Sequence, residues 1–180
     1  MKRSQGAEGI LLVECINPHL DKWRVRWDVQ PYVNEEGEEQ GVTFLEEEFL
    51  RKPTIGEVKE AITRWINMET DSRILSGFEY EGMAVWLSTE NQFNYKAAYD
   101  LAVQSGGQSL PVMFKFGTDE ETVYHTFTTI EELTAFYLAS VAWVQTCLAE
   151  GWAQKDGLDT SAYEETLAGE EEQRKDVTEG

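Results

Sequence analysis

The stretch from Ile130 to about Lys155 constrains this chain more than any other, for it holds no proline and a single glycine, Gly151. At 3.6 residues per turn it predicts a helix of about seven turns. Thr129 stands before it and Glu132 three residues later, the spacing of a capping box. Leu133, Phe136, Tyr137, Ser140, Val141, Val144, Cys147, Leu148, Gly151 and Trp152 follow the rhythm of a buried helix face. Beside them runs a stripe of small residues: Ala135, Ala139, Ala142, Thr146, Ala149 and Ala153. Its two rows repeat every seven residues, which would let a second helix approach closely. The expected neighbours are therefore a sheet, Leu110 to Thr128, on the larger face, and a helix on the small one. That helix is either Glu90 to Gln104 of the same chain, or another copy or a partner.

A chain of 180 residues suffices for one domain with a real core, or for a domain plus an appendage. Its formal charge of -19 repels phosphate backbones and anionic bilayers, so neither nucleic acid nor a membrane surface is an expected partner. The apolar run after the basic start is short, Ile10 to Val13, so no signal peptide is read. No stretch approaches the ~18 apolar residues of a membrane span. Cys15 and Cys147 lie far apart in a strand-like and a helix-like segment, and read as buried thiols in a reducing cytoplasm.

Taken in order, Ile10 to Ile16 reads as a strand and Asn17-Pro18-His19 as a turn. From Trp23 to Val33 the chain alternates, with Trp23, Val25, Trp27 and Val29 on one face and Arg24, Arg26, Asp28 and Gln30 on the other. Val42 to Phe49 is a third strand. Thr54 and Glu57 repeat the capping-box spacing before a helix whose stripe is Ile55, Val58, Ile62, Trp65 and Ile66, fraying near Thr70 to Ser72. A tight hairpin turns at Glu81-Gly82. Ser88 or Thr89, the latter boxed with Gln92, caps a helix with an inner face of Phe93, Ala97 and Leu101, stopped by Gly106-Gly107. Two strands, Leu110 to Gly117 and Thr122 to Thr128, flank the acidic turn Thr118 to Glu121. The fold class is α+β: a small antiparallel sheet plus helix, then a hairpin-helix-two-strand-long-helix block. The expected divisions are 1–73, 74–158 and an acidic, disordered tail, 159–180.

Candidate chemistry is sparse. His19 sits in a turn and His125 in an alternating strand, neither with a second histidine or cysteine at ligand spacing, so no zinc site is expected. The acidic runs lack the alternating oxygens of a calcium loop and read as solvated charge. No phosphate loop, dinucleotide fingerprint or nucleophile elbow occurs. The reading is therefore of a non-enzyme without metal or cofactor. The tryptophans have two readings: core packing, or an aromatic platform for a small ligand or sugar formed by Trp23, Trp27 and Trp86.

From Ile74 to about Leu158 a series of short signatures follows in order: Phe78-Glu79-Tyr80-Glu81-Gly82, Ser88-Thr89-Glu90-Asn91-Gln92, Leu110-Pro111-Val112, Phe127 through Leu133, Val144-Gln145, Gly151-Trp152 and Lys155-Asp156. This series resembles a domain of unknown function found in tailed phages and prophages, often at the C-terminal end of tail-fibre or tail-fibre-assembly proteins. The resemblance transfers no catalytic residue. It implies a structural or assembly protein acting through protein–protein contacts, with a tail or tail-fibre protein or a second copy as partner. Its implied place is the host cytoplasm during assembly, or the virion tail. The alternative is a cytoplasmic small-ligand binding module with an aromatic pocket.

Overall fold

The computed structural model describes residues 2–33, 35, 37–118 and 120–178. The fold is α+β, and the chain divides into two compact units, Met1–Arg64 with Gly157–Gly180, and Trp65–Asp156. The division falls inside a helix instead of at residue 73, and the C-terminal segment belongs with the first unit.

The first unit is built on strands β1 (Lys2–Gly6), β2 (Val13–Asn17), β3 (Lys22–Val33) and β4 (Glu39–Phe49), antiparallel in the order β1-β4-β3-β2. The sheet thus has four strands where three were expected. The polar sequence of β1 shows no apolar alternation, and its pairing with β4 creates the strand, with Ser4 donating a hydrogen bond to Glu46 at 2.9 Å. β2 starts later than the expected Ile10. In β3, Trp23, Val25 and Trp27 are buried as the alternation predicts, but Val29 is exposed. Asp28 has φ 50°, and the register shifts by one residue between Trp27–Leu45 and Gln30–Thr43. This bulge flips the faces beyond it.

Helix α1 (Ile55–Ser76) starts on the anticipated box: the Glu57 N–H donates to Thr54 Oγ1 at 3.3 Å, and the Thr54 N–H donates to the Glu57 carboxylate at 2.9 Å. Hydrogen bonds from the Thr54 N–H, from Arg51 and from the Thr54 hydroxyl hold the Glu57 carboxyl below its ordinary range. Val58, Ala61 and Ile62 are buried.

The expected disordered tail is instead helical over α4 (Ser161–Thr178). Tyr163 and Leu167, one turn apart, are buried, and the Tyr163 hydroxyl donates to the Arg26 carbonyl at 2.9 Å. Lys52 Nζ donates to the Leu167 carbonyl at 2.7 Å. A composition-based reading sees an acidic tail, whereas two apolar residues one turn apart are buried and two hydrogen bonds tie the helix to the rest of the unit. Residues 179 and 180 lie outside the described residues.

The second unit opens with the rest of α1. It does not fray at Thr70 to Ser72, because Trp143 Nε1 donates to the Arg73 carbonyl at 3.1 Å and Arg73 pairs with Glu150 at 2.6 Å. Two short antiparallel ribbons follow: β5 (Phe78–Tyr80) with β6 (Met83–Val85), and β7 (Val112–Gly117) with β8 (Thr122–Phe127). The first turns at Glu81 and Gly82, both at positive φ, as Glu-Gly predicts. Between the ribbons runs α2 (Thr89–Gln104), capped by Ser88, whose hydroxyl accepts from the Asn91 N–H at 3.2 Å. Gln92 donates to the Leu87 carbonyl in place of the expected box with Thr89. The Gly107 N–H donates to the Ala102 carbonyl and closes the helix. The predicted inner face of α2 is corrected: Phe93 and Leu101 are 69% and 56% exposed, Ala97 is also exposed, and Tyr95 and Ala102 are buried.

Helix α3 (Ile130–Asp156) carries its predicted capping box, with Thr129 and Glu132 exchanging hydrogen bonds at 3.2 Å each. Leu133, Phe136, Ser140, Cys147 and Gly151 are buried, and Trp152 is exposed. Phe136 is the centre of the unit. Its ring lies 4.9 Å from Tyr95, 5.1 Å from Tyr80 and from Phe127, 5.2 Å from Phe116 and 6.0 Å from Phe114.

Two stability measurements check this architecture. Phe136→Ala should cost about 3–5 kcal/mol in urea unfolding followed by near-ultraviolet circular dichroism, since its cavity is walled by rings from four elements. Tyr163→Phe removes a buried hydroxyl and should cost about 0.5–1.5 kcal/mol, if α4 is docked as described. A disordered α4 would leave the midpoint unchanged.

Candidate functional site

The second unit contains a groove of about 660 Å³, within the range of ligand sites. One wall is Ala84 of β6 and Trp86 just after it; the other is the run from Phe114 to Thr118, in β7 and its turn. Asn91, Asn94 and Tyr95 come from the first two turns of α2. Local sequence explains this placement. Ser88 starts α2 so that Asn91 faces back, and its Nδ2 donates to the Trp86 carbonyl at 2.8 Å, fixing the chain that carries the indole. Gly117 has φ 85°, and a Cβ there would collide with the Glu121 carbonyl, so the end of the groove depends on glycine.

The groove is apolar with a polar fringe. Trp86 is 52% exposed. Tyr95 is buried, and burial pushes its hydroxyl up to about 12. It is therefore neutral at physiological pH.

Of the three predicted platform residues, Trp86 alone lines this groove. Trp23 and Trp27 are buried in the first unit at 0% and 2% exposure, as the core reading holds, and Trp23 Nε1 donates to Asp21 at 2.9 Å. Buried to that degree, neither Trp23 nor Trp27 offers a ring face to a ligand. Phe114, Asn91, Asn94 and the β7 edge were not singled out from the sequence. Phe114 was visible only as one member of an alternating strand.

The small-residue stripe is exposed at Ala135, Ala142, Thr146, Ala149 and Ala153, with Ala139 half-buried. Helix α2 does not fill it. It meets α3 one row away, where Tyr99 stacks on Tyr137 with centroids 4.6 Å apart.

His125 packs among rings, 4.5 Å from Phe127, 5.6 Å from Phe116 and 6.0 Å from Tyr80. Cys147 is buried and Cys15 half-buried, both as free thiols, and burial pushes the Cys147 thiol up. Among the described residues no group of three or more His, Cys, Asp or Glu side chains converges to hold a metal. No helix among them is long and apolar enough to cross a membrane.

The family described as a domain of unknown function, DUF4376, matches residues 57–173, about two thirds of the chain. The chain belongs to the DUF4376 family. The DUF4376 match is wider than the 74–158 span of the resemblance: it takes in most of α1 and most of α4, and it includes the whole groove. No curated protein and no solved structure matches the chain.

The exposure of the stripe generates a simple check. Ala142→Leu should change stability by less than about 0.5 kcal/mol, the range of ordinary surface substitutions. A loss of a few kcal/mol by thermal melting would show that α3 is covered at Ala142.

Proposed function

We propose that this chain is a non-enzymatic phage or prophage tail-associated protein, a virion component or an assembly factor, acting through protein–protein contacts. The observation that carries the reading is the DUF4376 match over residues 57–173, the region whose ordered signatures resemble tail-fibre and tail-fibre-assembly domains. The surface agrees with a binding role. Trp86, Phe93, Met113, Tyr124 and Leu138 of the second unit are each more than half exposed, at 52%, 69%, 59%, 64% and 57%. Exposed aromatics are the residue types that anchor protein interfaces. In this reading the protein works in the host cytoplasm during assembly or stays in the tail, with a tail or tail-fibre protein as partner.

A second reading is favoured by the groove itself: a binding module that takes a small ligand against Trp86 and Phe114. The two separate by genetics. Deleting the gene from the phage or lysogen that encodes it should yield particles with missing or defective tail fibres in negative-stain electron microscopy, and a loss of infectivity restored by the gene in trans. Normal tails and undiminished plaque counts would reject the tail reading. Immunoblotting of purified tails then decides between virion component, present, and assembly factor, absent.

A further inference from the structure

Trp86 is half exposed, and its indole has neither a ring partner nor a cation over it among the described residues. The backbone that carries it is tied on both sides. Asn91 Nδ2 donates to the Trp86 carbonyl at 2.8 Å, and the Leu87 N–H donates to the Leu75 carbonyl at 2.9 Å. Val85 and Leu87 are buried in the core, so Ala84 and Trp86 share the groove side, and Ala84 brings only a methyl group to it. A firmly held, unstacked ring face is preorganised for a ligand. Phe114 is not a second plate, since its ring is taken up by Tyr95 at 4.7 Å and Phe127 at 5.9 Å. The groove thus offers one free ring face, which suits a ligand that is apolar on one side only.

The remainder of the groove is open and polar: Ser76, Asn94, Lys115 and Thr118 are all exposed. An apolar ligand would leave much of itself in water here, whereas sites for such molecules bury most of the ligand surface. Asn91 Oδ1 and the Asn94 amide have no protein partner among the described residues, so both can bond hydroxyl groups. A saccharide has this two-sided chemistry, with a C–H face for the indole and hydroxyls for the amides. Charge narrows the class. Lys115 is the one charged residue lining the groove, and it makes no ion pair among the described residues, in a chain with 34 Asp and Glu against 15 Lys and Arg. A free ammonium beside the indole matches a carboxylate. The formal charge of -19 repels a polyanion, so the ligand carries a single acidic group.

We propose that this groove binds a saccharide bearing one carboxylate, an acidic sugar in an otherwise neutral glycan. Its C–H face lies on Trp86, its hydroxyls on Asn91 and Asn94, and its carboxylate at Lys115. The proposal names the ligand class of the small-ligand reading and rests on that reading.

The test screens the full chain on a printed array of neutral and carboxylated glycans. Those that bind are titrated by calorimetry beside their carboxyl-reduced forms, which differ only in the acidic group. Binding should be confined to glycans with a carboxylated sugar, and reduction should weaken it roughly tenfold or more. Trp86→Ala, with an unchanged melting temperature, should weaken it at least about tenfold. Lys115→Met should bring the acidic form down to the level of its reduced form, a selective loss that mere damage to the fold does not produce. Equal binding of acidic and reduced forms, or binding indifferent to Trp86→Ala, overturns the proposal. A panel of small aromatic carboxylates is the control. If one of these binds in a Trp86-dependent way and no glycan does, the proposal falls and the small-ligand reading stands. If neither set binds, both fall.

Discussion

The packing of Phe136 is the interaction on which the second unit depends. Two ribbons of two strands each are marginal alone, because a single hairpin buries too little surface to offset its own ordering. Here both ribbons and α2 send rings to one residue of α3: Tyr80 from β5, Phe127 from β8, Phe114 and Phe116 from β7, and Tyr95 from α2. Edge-on and tilted rings fill such a space better than aliphatics of equal number, since each ring buries a large area and tolerates several angles. The same contact fixes the rotation of α2. Once Tyr95 points to Phe136, Phe93 and Leu101 must face outward, which is why they are exposed despite being apolar.

That arrangement also makes the groove. Because the ribbons are brought together by side chains and not by hydrogen bonds between β6 and β7, each keeps an open edge. A continuous sheet would have closed it. Asn91 then ties Trp86 to the start of α2, and Gly117 lets β7 turn away at Thr118. The open edge and the exposed indole are consequences of one packing solution.

The first unit solves the same problem differently. Its sheet has longer strands, and α4 is docked on it, with Tyr163 reaching the backbone of β3. The bulge at Asp28 ends the regular face after Trp27, so the apolar cover is needed over Trp23 to Trp27 and not beyond.

Much of this was legible in the residues. The α+β class, the boxes at Thr54 and Thr129, the Glu81-Gly82 turn, the glycine stop of α2 and the length of α3 are local features. Each is settled by bonds between residues three or four apart, or by a φ that glycine accepts. Where partners are remote the residues were silent or misleading. Strand β1 exists because β4 offers an edge, and α4 because a sheet lacks cover. Phe93 and Tyr95 differ in burial because of a ring on another helix. Trp86 was singled out from sequence, but the choice between burial and exposure for Trp23 and Trp27 was left open there. By itself the sequence determined which segments turn, start and stop, since those energies are local. Only the tertiary structure decided which apolar faces are covered and which strand edge is left open, because burial and strand pairing are properties of residues distant in the chain.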